Sequence, residues 1–413
     1  MKKPPRSVLI VILGLLSALG PFSIDMYLPG FPTIAADLNT TVDRVSYSLS
    51  SFFIGICIGQ MICGPLLDRF GRKKPLYFGL VIYILASVGC AYSDSVEALI
   101  GFRFLQALGG CVGMVAPGAI VRDSFPVKEN AKVFSLLILI LGVSPILAPT
   151  VGSFVIAGLG WHAVFIVLAL IAALLLITVI FLLPETKRAD PSMSLMPRPI
   201  LTNFLFVVKQ PQFFTYAFSG AVAAAGLFAY LAGSPFVFMN IYKLSDQQYG
   251  LVFGLVAAGL ITCSQLNNLL LRRYDSAQII RIVLAVQTLI GLILFFSSFL
   301  GWHNVYSTIG LIFLFLSCQG FSFPNSSALS LAPFTREAGS ASALMGALQM
   351  GFGALASALV GFINNGTTMP MTGVMAGCAL LGLIILSLGR KRLEYKSRIE
   401  DVEEQAFEQI EKY

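Results

Sequence analysis

Twelve apolar runs of membrane-spanning length dominate this chain of 413 residues, near 8–28, 45–66, 76–93, 97–120, 133–156, 161–183, 212–234, 247–270, 280–300, 306–330, 339–362 and 372–389. A helix rising about 1.5 Å per residue needs about 20 such residues to cross about 30 Å of hydrocarbon. Inside a bilayer the chain itself must satisfy every backbone N–H and C=O, which leaves helices and closed barrels. No period-two alternation is present, so a barrel is a poor reading. Only 11% of residues are charged and 57% are hydrophobic, against about 25% charged in soluble domains. The chain therefore reads as an all-α membrane protein with twelve transmembrane helices.

A net charge of +7 could suggest nucleic acid in a soluble protein, but here the placement of the charge matters more than its sum, and no nucleic-acid partner is expected. With the N-terminus inside, 24 of the 27 Lys and Arg fall in segments on one side. Arg44 and Lys243 lie outside and Arg103 lies within a span. That bias predicts cytoplasmic N- and C-termini and a multi-pass protein of the bacterial inner (plasma) membrane. Met1-Lys2-Lys3 before an apolar run imitates a secretory signal, but the topology needs that helix to be retained. The seven cysteines fall in or beside apolar runs without C-x-x-C spacing and read as small buried hydrophobes.

The segment from Pro184 to Pro211, rich in proline and charge, divides the spans six and six. The expected organisation is an N-terminal six-helix bundle (1–183), a cytoplasmic linker (184–211), a C-terminal six-helix bundle (212–389) and a cytoplasmic tail (390–413). Two pseudo-symmetric halves of this kind place a substrate site near the midplane where they meet. Weak internal similarity supports duplication: the loop Gly64–Pro75 after the second span has a degraded counterpart, Leu271–Asp275, after the eighth.

Ionisable groups inside a membrane cost about 2.5 to 3.5 kcal/mol at a helix centre, so each needs a reason. Two stand out: Asp25 in the first span and Arg103 in the fourth. Helical rise puts Asp25 roughly 28 Å beyond Arg6 and Arg103 roughly 12 Å below Ser95, both in the outer half. At similar depth the two charges can lower each other's burial cost, and a carboxylate balanced between desolvation and a nearby cation can take and release protons. Asp25 is thus the candidate proton carrier, the alternative being an interfacial aspartate at the outer helix end. His162 and His303 sit in short outer loops and are not obvious relays. In the fifth span Pro145 and Pro149, flanked by Gly142 and Gly152, remove two backbone donors and predict a kink with close packing.

The loop from Gly64 to Pro75 resembles the signature of the major facilitator superfamily, G-x-L-x-D-R-x-G-R-[KR]-x, at Gly64, Leu66, Asp68, Arg69, Gly71, Arg72 and Lys73. Arg103 and Gln106 resemble its R-x-x-Q-G element with Ala107 in place of glycine. Gly142 to Gly152 resembles its antiporter motif with Ala148 and Ser153 where glycines are usual. The run Ser23–Pro32, with Arg103–Gln106 and Val121-Arg122-Asp123, is most similar to the bicyclomycin and chloramphenicol resistance (Bcr/CflA) branch of drug/proton antiporters. The resemblance covers nearly the whole chain. It implies the major facilitator fold, with Asp25 and Arg103 facing a central cavity and the loop around Asp68 latching the halves in the outward-open state.

In the C-terminal half, Tyr230, Tyr249 and Phe253 could form an apolar wall opposite Asp25, and Gln265, Asn267, Asn268, Gln319 and Gln349 add polar groups for an amphipathic ligand. The expected function is proton-coupled multidrug efflux by alternating access, with Asp25, Arg103, Gln106, Tyr230, Tyr249 and Phe253 binding substrate. Its partners would be small-molecule drugs and protons, its form a monomer in the lipid bilayer, and its energy source the proton motive force, with no cofactor. The alternative in the same fold is an exporter of a small metabolite. An enzyme is disfavoured because no H-E-x-x-H or His–Cys cluster lies within the spans.

Overall fold

The computed structural model describes residues 5–125, 127–187, 189–190, 197–302, 304–334 and 338–411. His303, residues 188 and 191–196 of the linker and the last two residues of the tail lie outside them. The described residues form helices and no strand: α1 (Arg6–Asp25), a 3-10 turn (Leu28–Gly30), α2 (Phe31–Asp37), α3 (Val42–Phe70), α4 (Lys73–Ala91), α5 (Val96–Ser124), α6 (Val127–Leu159) and α7 (Trp161–Phe181). There follow α8 (Pro197–Lys209), α9 (Pro211–Pro235), a π-helical turn (Phe236–Ile241), α10 (Asp246–Leu270), α11 (Ser276–Phe299), α12 (Val305–Leu331), α13 (Ala338–Phe362) and α14 (Met369–Glu411). Among the described residues twelve helical segments are long and apolar enough to cross a membrane, and each of the twelve expected runs overlaps one of them. An even number of crossings puts the two chain ends on one side, here called the terminal face, and the opposite side the far face.

Two spans run further than their apolar pattern suggests. The first extends from Arg6 to Asp37 over 32 residues, and the seventh from Pro211 to Ile241 over 31. Both are broken by a proline. Pro29 has no N–H for the carbonyl of Asp25, so α1 stops at Asp25 and the chain passes through the 3-10 turn into α2. In the seventh span α9 runs through Pro235 and its geometry changes directly after it to the π-helical turn. Leu28, Pro29, Gly30 and Phe31 are nevertheless buried, so the segment stays inside the protein instead of emerging as a loop. Asp25, the last residue of the 20-residue α1, is therefore past the midpoint of the 32-residue first span on the far-face side, in agreement with the outer-half position that helical rise gives it. The sequence did not show that Leu28-Pro29-Gly30, which reads as a helix end, continues the span.

Small residues let the helices approach closely, as membrane packing requires. In the N-terminal bundle Gly55 and Gly59 of α3 lie against Phe104, Ala107 and Cys111 of α5. Between bundles, α3 packs on α13 and α6 on α10. Among the described residues four hydrogen bonds cross this seam, and only one of them involves a charged group. Ser50 and Ser357 share a hydrogen bond of 2.8 Å, Ser153 Oγ donates to the Asp246 carbonyl at 3.1 Å, and Asn364 Nδ2 donates to the Asp43 carboxylate. These three lie toward the far face, and Cys57 Sγ donates to the Ala347 carbonyl deeper in. Helix α6 runs unbroken through Pro145 and Pro149 and touches both bundles.

Gly152 of α6 sits against the break in the first span, where an added Cβ would stand 1.9 Å from the Met26 carbonyl oxygen. At Gly142 the nearest atoms, from Ile261, would be 3.6 Å away. Thermal unfolding of purified variants should show Gly152→Ala destabilised by about 1–3 kcal/mol or more, with Gly142→Ala close to the parent protein.

Candidate functional site

Arg103 is wholly buried in the N-terminal bundle, and no carboxylate meets it. Its Nη1 donates to Gln106 Oε1 at 2.5 Å and its Nη2 to the Ser23 carbonyl at 2.9 Å, while Nε finds no acceptor. The guanidinium carbon lies 4.1 Å from the ring centre of Phe52, 4.3 Å from that of Tyr27 and 5.8 Å from that of Phe165. Rings facing a desolvated cation can return about 2 kcal/mol or more each. Gln106, also fully buried, passes the network on through Nε2 to Ser87 Oγ at 2.7 Å. Ser87 donates to the Tyr83 carbonyl, and Ser23 Oγ donates to the Leu19 carbonyl while sharing a 2.5 Å hydrogen bond with the Tyr83 hydroxyl. Five helices, α1, α3, α4, α5 and α7, are thereby gathered around one cation.

This arrangement corrects two expectations. Asp25 and Arg103 form no ion pair, because the Ser23 carbonyl and the aromatic rings occupy the guanidinium. Arg103 and Gln106 point into the packing of their own bundle in this conformation and not into a chamber. Tyr27, Phe52, Phe165, Tyr83 and Ser87 were invisible as a set in the sequence because they come from separate helices with no shared spacing.

Asp25 is placed differently. It is 5% exposed and its carboxylate makes no hydrogen bond or ion pair among the described residues. It stands close enough to Tyr230 and Tyr249 of the opposite bundle to act on both electrostatically. Those tyrosines are buried with Phe253, ring centres 5.8 Å apart for Tyr230–Phe253 and 6.1 Å for Tyr249–Phe253. Ser234 Oγ and the Tyr249 hydroxyl share a hydrogen bond of 2.9 Å, and the Tyr230 hydroxyl makes none. The structure thus brings Asp25, Tyr230, Tyr249 and Phe253 together where the two broken spans meet. A separate cleft of about 530 Å³ on the far face is lined in part by Pro32, Phe236, Asp43 and Asn364, and not by Asp25 or the three aromatic residues.

Of the other polar candidates, Gln319 accepts from Gln287 at 3.1 Å and Asn267 accepts from Asn325 at 2.7 Å. Both pairs tie helices within the C-terminal bundle, so these amides act as internal glue. The signature loop is fully engaged. Arg72 donates through Nε and Nη2 to both oxygens of Asp123, at 2.7 and 3.3 Å, and through Nη1 to Asp68 at 3.0 Å. Burial alone would lower the pKa of Arg72, but Asp123 and Asp68 outweigh it and the group is held charged more firmly than usual. Gly71 supplies the turn with a φ of +83°, a conformation that other residues rarely adopt. Gly64 has open space around it, Arg69 lies 5.9 Å from the ring centre of Phe70, and the exposed Arg122 donates to the Gly118 carbonyl at 3.1 Å.

Twelve spans in paired bundles, with charged and aromatic residues meeting at broken helices, define a secondary membrane transporter. Residues 13–359 match the Major Facilitator Superfamily, and the chain belongs to that family. It is 32% identical over 377 residues to a bicyclomycin resistance protein homolog of Haemophilus influenzae, covering 91% of this chain and 94% of that one. It is 29% identical over 369 residues to the multidrug resistance protein MdtL of Escherichia coli, covering 89% and 91%. These relatives agree with the drug-resistance branch that the motifs suggest. Among solved structures, an inward-facing bacterial homolog of the human lysosomal transporter Spinster superposes with a TM-score of 0.70 at 15% identity, covering 94% and 96%.

Removing the acceptor from a buried guanidinium leaves charge unsatisfied. Gln106→Leu should lower stability in a denaturation measurement by about 1.5–3 kcal/mol, and Gln106→Glu, which adds a counter-charge, should not reproduce that loss.

Proposed function

We propose that this transporter is a proton-coupled multidrug efflux antiporter, exporting small hydrophobic or amphipathic compounds, antibiotics included, with Asp25 as proton carrier. The observation that carries this reading is a buried carboxylate without a partner, at a helix break, facing aromatic residues of the other bundle. An isolated buried charge is expensive. A proton removes the cost by neutralising it, and a cargo molecule does so by offering a donor or a positive charge. The two occupants compete for one group, and each state is stabilised by its own ligand's differential affinity, which is what exchange transport needs. Tyr230, Tyr249 and Phe253 supply the apolar, polarisable wall for a drug, and the unengaged Tyr230 hydroxyl supplies a hydrogen bond.

The terminal face is assigned to the cytoplasm by the excess of Lys and Arg there, and the membrane to the bacterial inner membrane. In this reading protons enter from the far face, where the cleft reaches as deep as Pro32 and Phe236. Arg103 and Gln106 serve as positioning residues: Arg103 holds the Ser23 carbonyl two residues before Asp25, and Gln106 holds the guanidinium. The names of the two relatives, bicyclomycin resistance and multidrug resistance, support a drug as cargo. The working unit is a monomer, and the proton motive force replaces any cofactor.

In proteoliposomes, acidifying the far-side compartment should drive drug out of the terminal-side compartment. Asp25→Asn should reduce that gradient-driven flux to background while an uncharged drug still binds within roughly tenfold of the parent affinity. Undiminished pH-dependent transport by Asp25→Asn would remove Asp25 from the coupling step.

A further inference from the structure

The first residues after α7 are bound to the signature loop side chain by side chain. The Glu185 carboxylate accepts the backbone N–H of Arg72 at 2.7 Å and of Lys73 at 3.2 Å, taking up donors at the N-terminus of α4 that the helix cannot satisfy itself. Thr186 Oγ1 donates to Asp123 at 3.2 Å, and Lys187 Nζ donates to Asp68 at 2.7 Å. The fit depends on the absence of a side chain at Gly71, where an added Cβ would stand 3.1 Å from both Glu185 and the Lys187 carbonyl. Asp68 thus has two cations, Arg72 and Lys187, and neither belongs to the C-terminal bundle.

These three residues open the covalent link between the bundles. We propose that Glu185, Thr186 and Lys187 form a clip that holds the signature loop on its own bundle, with Lys187 as a positioning residue whose hold on Asp68 favours the present conformation, in which the cross-bundle hydrogen bonds gather toward the far face. Any departure of the signature loop from its own bundle breaks the Lys187–Asp68 pair. The pair is accessible to water, with side-chain exposures of 39% for Lys187 and 32% for Asp68, so it is weak enough to exchange within a transport cycle.

The test is far-side accessibility without any proton gradient or drug, which separates it from the coupling role of Asp25. A cysteine at Ser357, facing Ser50 across the seam, is introduced into a background lacking the native cysteines and labelled from the far face with an impermeant maleimide. Lys187→Met should raise the labelling rate roughly two- to fivefold, the range expected for loss of a water-exposed ion pair. Lys187→Arg should restore it, and high salt should raise it in the parent by screening the same pair. Should Lys187→Met fail to assemble, Lys187→Gln and the salt titration of the parent give the same readout. Equal labelling of folded Lys187→Met and Lys187→Arg, or a parent rate indifferent to salt, would overturn the proposal.

Discussion

The N-terminal bundle is organised around a guanidinium that water cannot reach and no carboxylate neutralises. A bare charge in such a place would cost more than a domain's margin of stability. Arg103 is tolerable because three rings, a glutamine and a carbonyl from α1 converge on it. Each of those groups arrives on a different helix or turn, so the cation's demand for partners fixes how α1, α3, α4, α5 and α7 sit together. The same arrangement leaves Asp25 outside the network.

Where Asp25 stands follows from backbone chemistry a few residues on. Pro29 lacks the N–H that would continue α1, so the helix gives way at the aspartate, and at the corresponding place in the other half the helix changes to a π-helical turn directly after Pro235. Broken spans in matching positions of two halves bring irregular backbone and polar side chains to the meeting plane, where they can be tolerated only by facing protein or a cavity. Gly152 reinforces this by letting α6 close on the Met26 carbonyl.

The seam between the bundles is built from contacts that can be exchanged. One serine pair, and a hydroxyl and a thiol that each donate to a backbone carbonyl, are each worth roughly 0.6 kcal/mol by analogy with other hydrogen bonds in membranes. A transporter that alternates between conformations needs a small difference between them, and a seam locked by buried ion pairs would not provide it. The stronger electrostatics are kept within the N-terminal bundle, where Arg72 and Asp68 of the signature loop meet Asp123 of α5.

The number of helices and their pairing into halves were legible in the order of residues, because the apolar length needed to cross a bilayer is a one-dimensional constraint and loop charge repeats the message. The rarity of Asp25 and Arg103 among apolar neighbours likewise marked them without any coordinates. The run Tyr230, Tyr249 and Phe253 could be suspected from helical spacing, whereas the cage of Tyr27, Phe52 and Phe165 could not, since its members are brought together only by packing. Tertiary structure alone decided that Arg103 turns to its own bundle, that Asp25 faces the other, that Gln319 and Asn267 are spent on internal pairs, and that Lys187 reaches Asp68. Chain order dictates which groups must be buried, but which partner each one finds depends on distances between helices far apart in sequence, and those are set only when the bundles close.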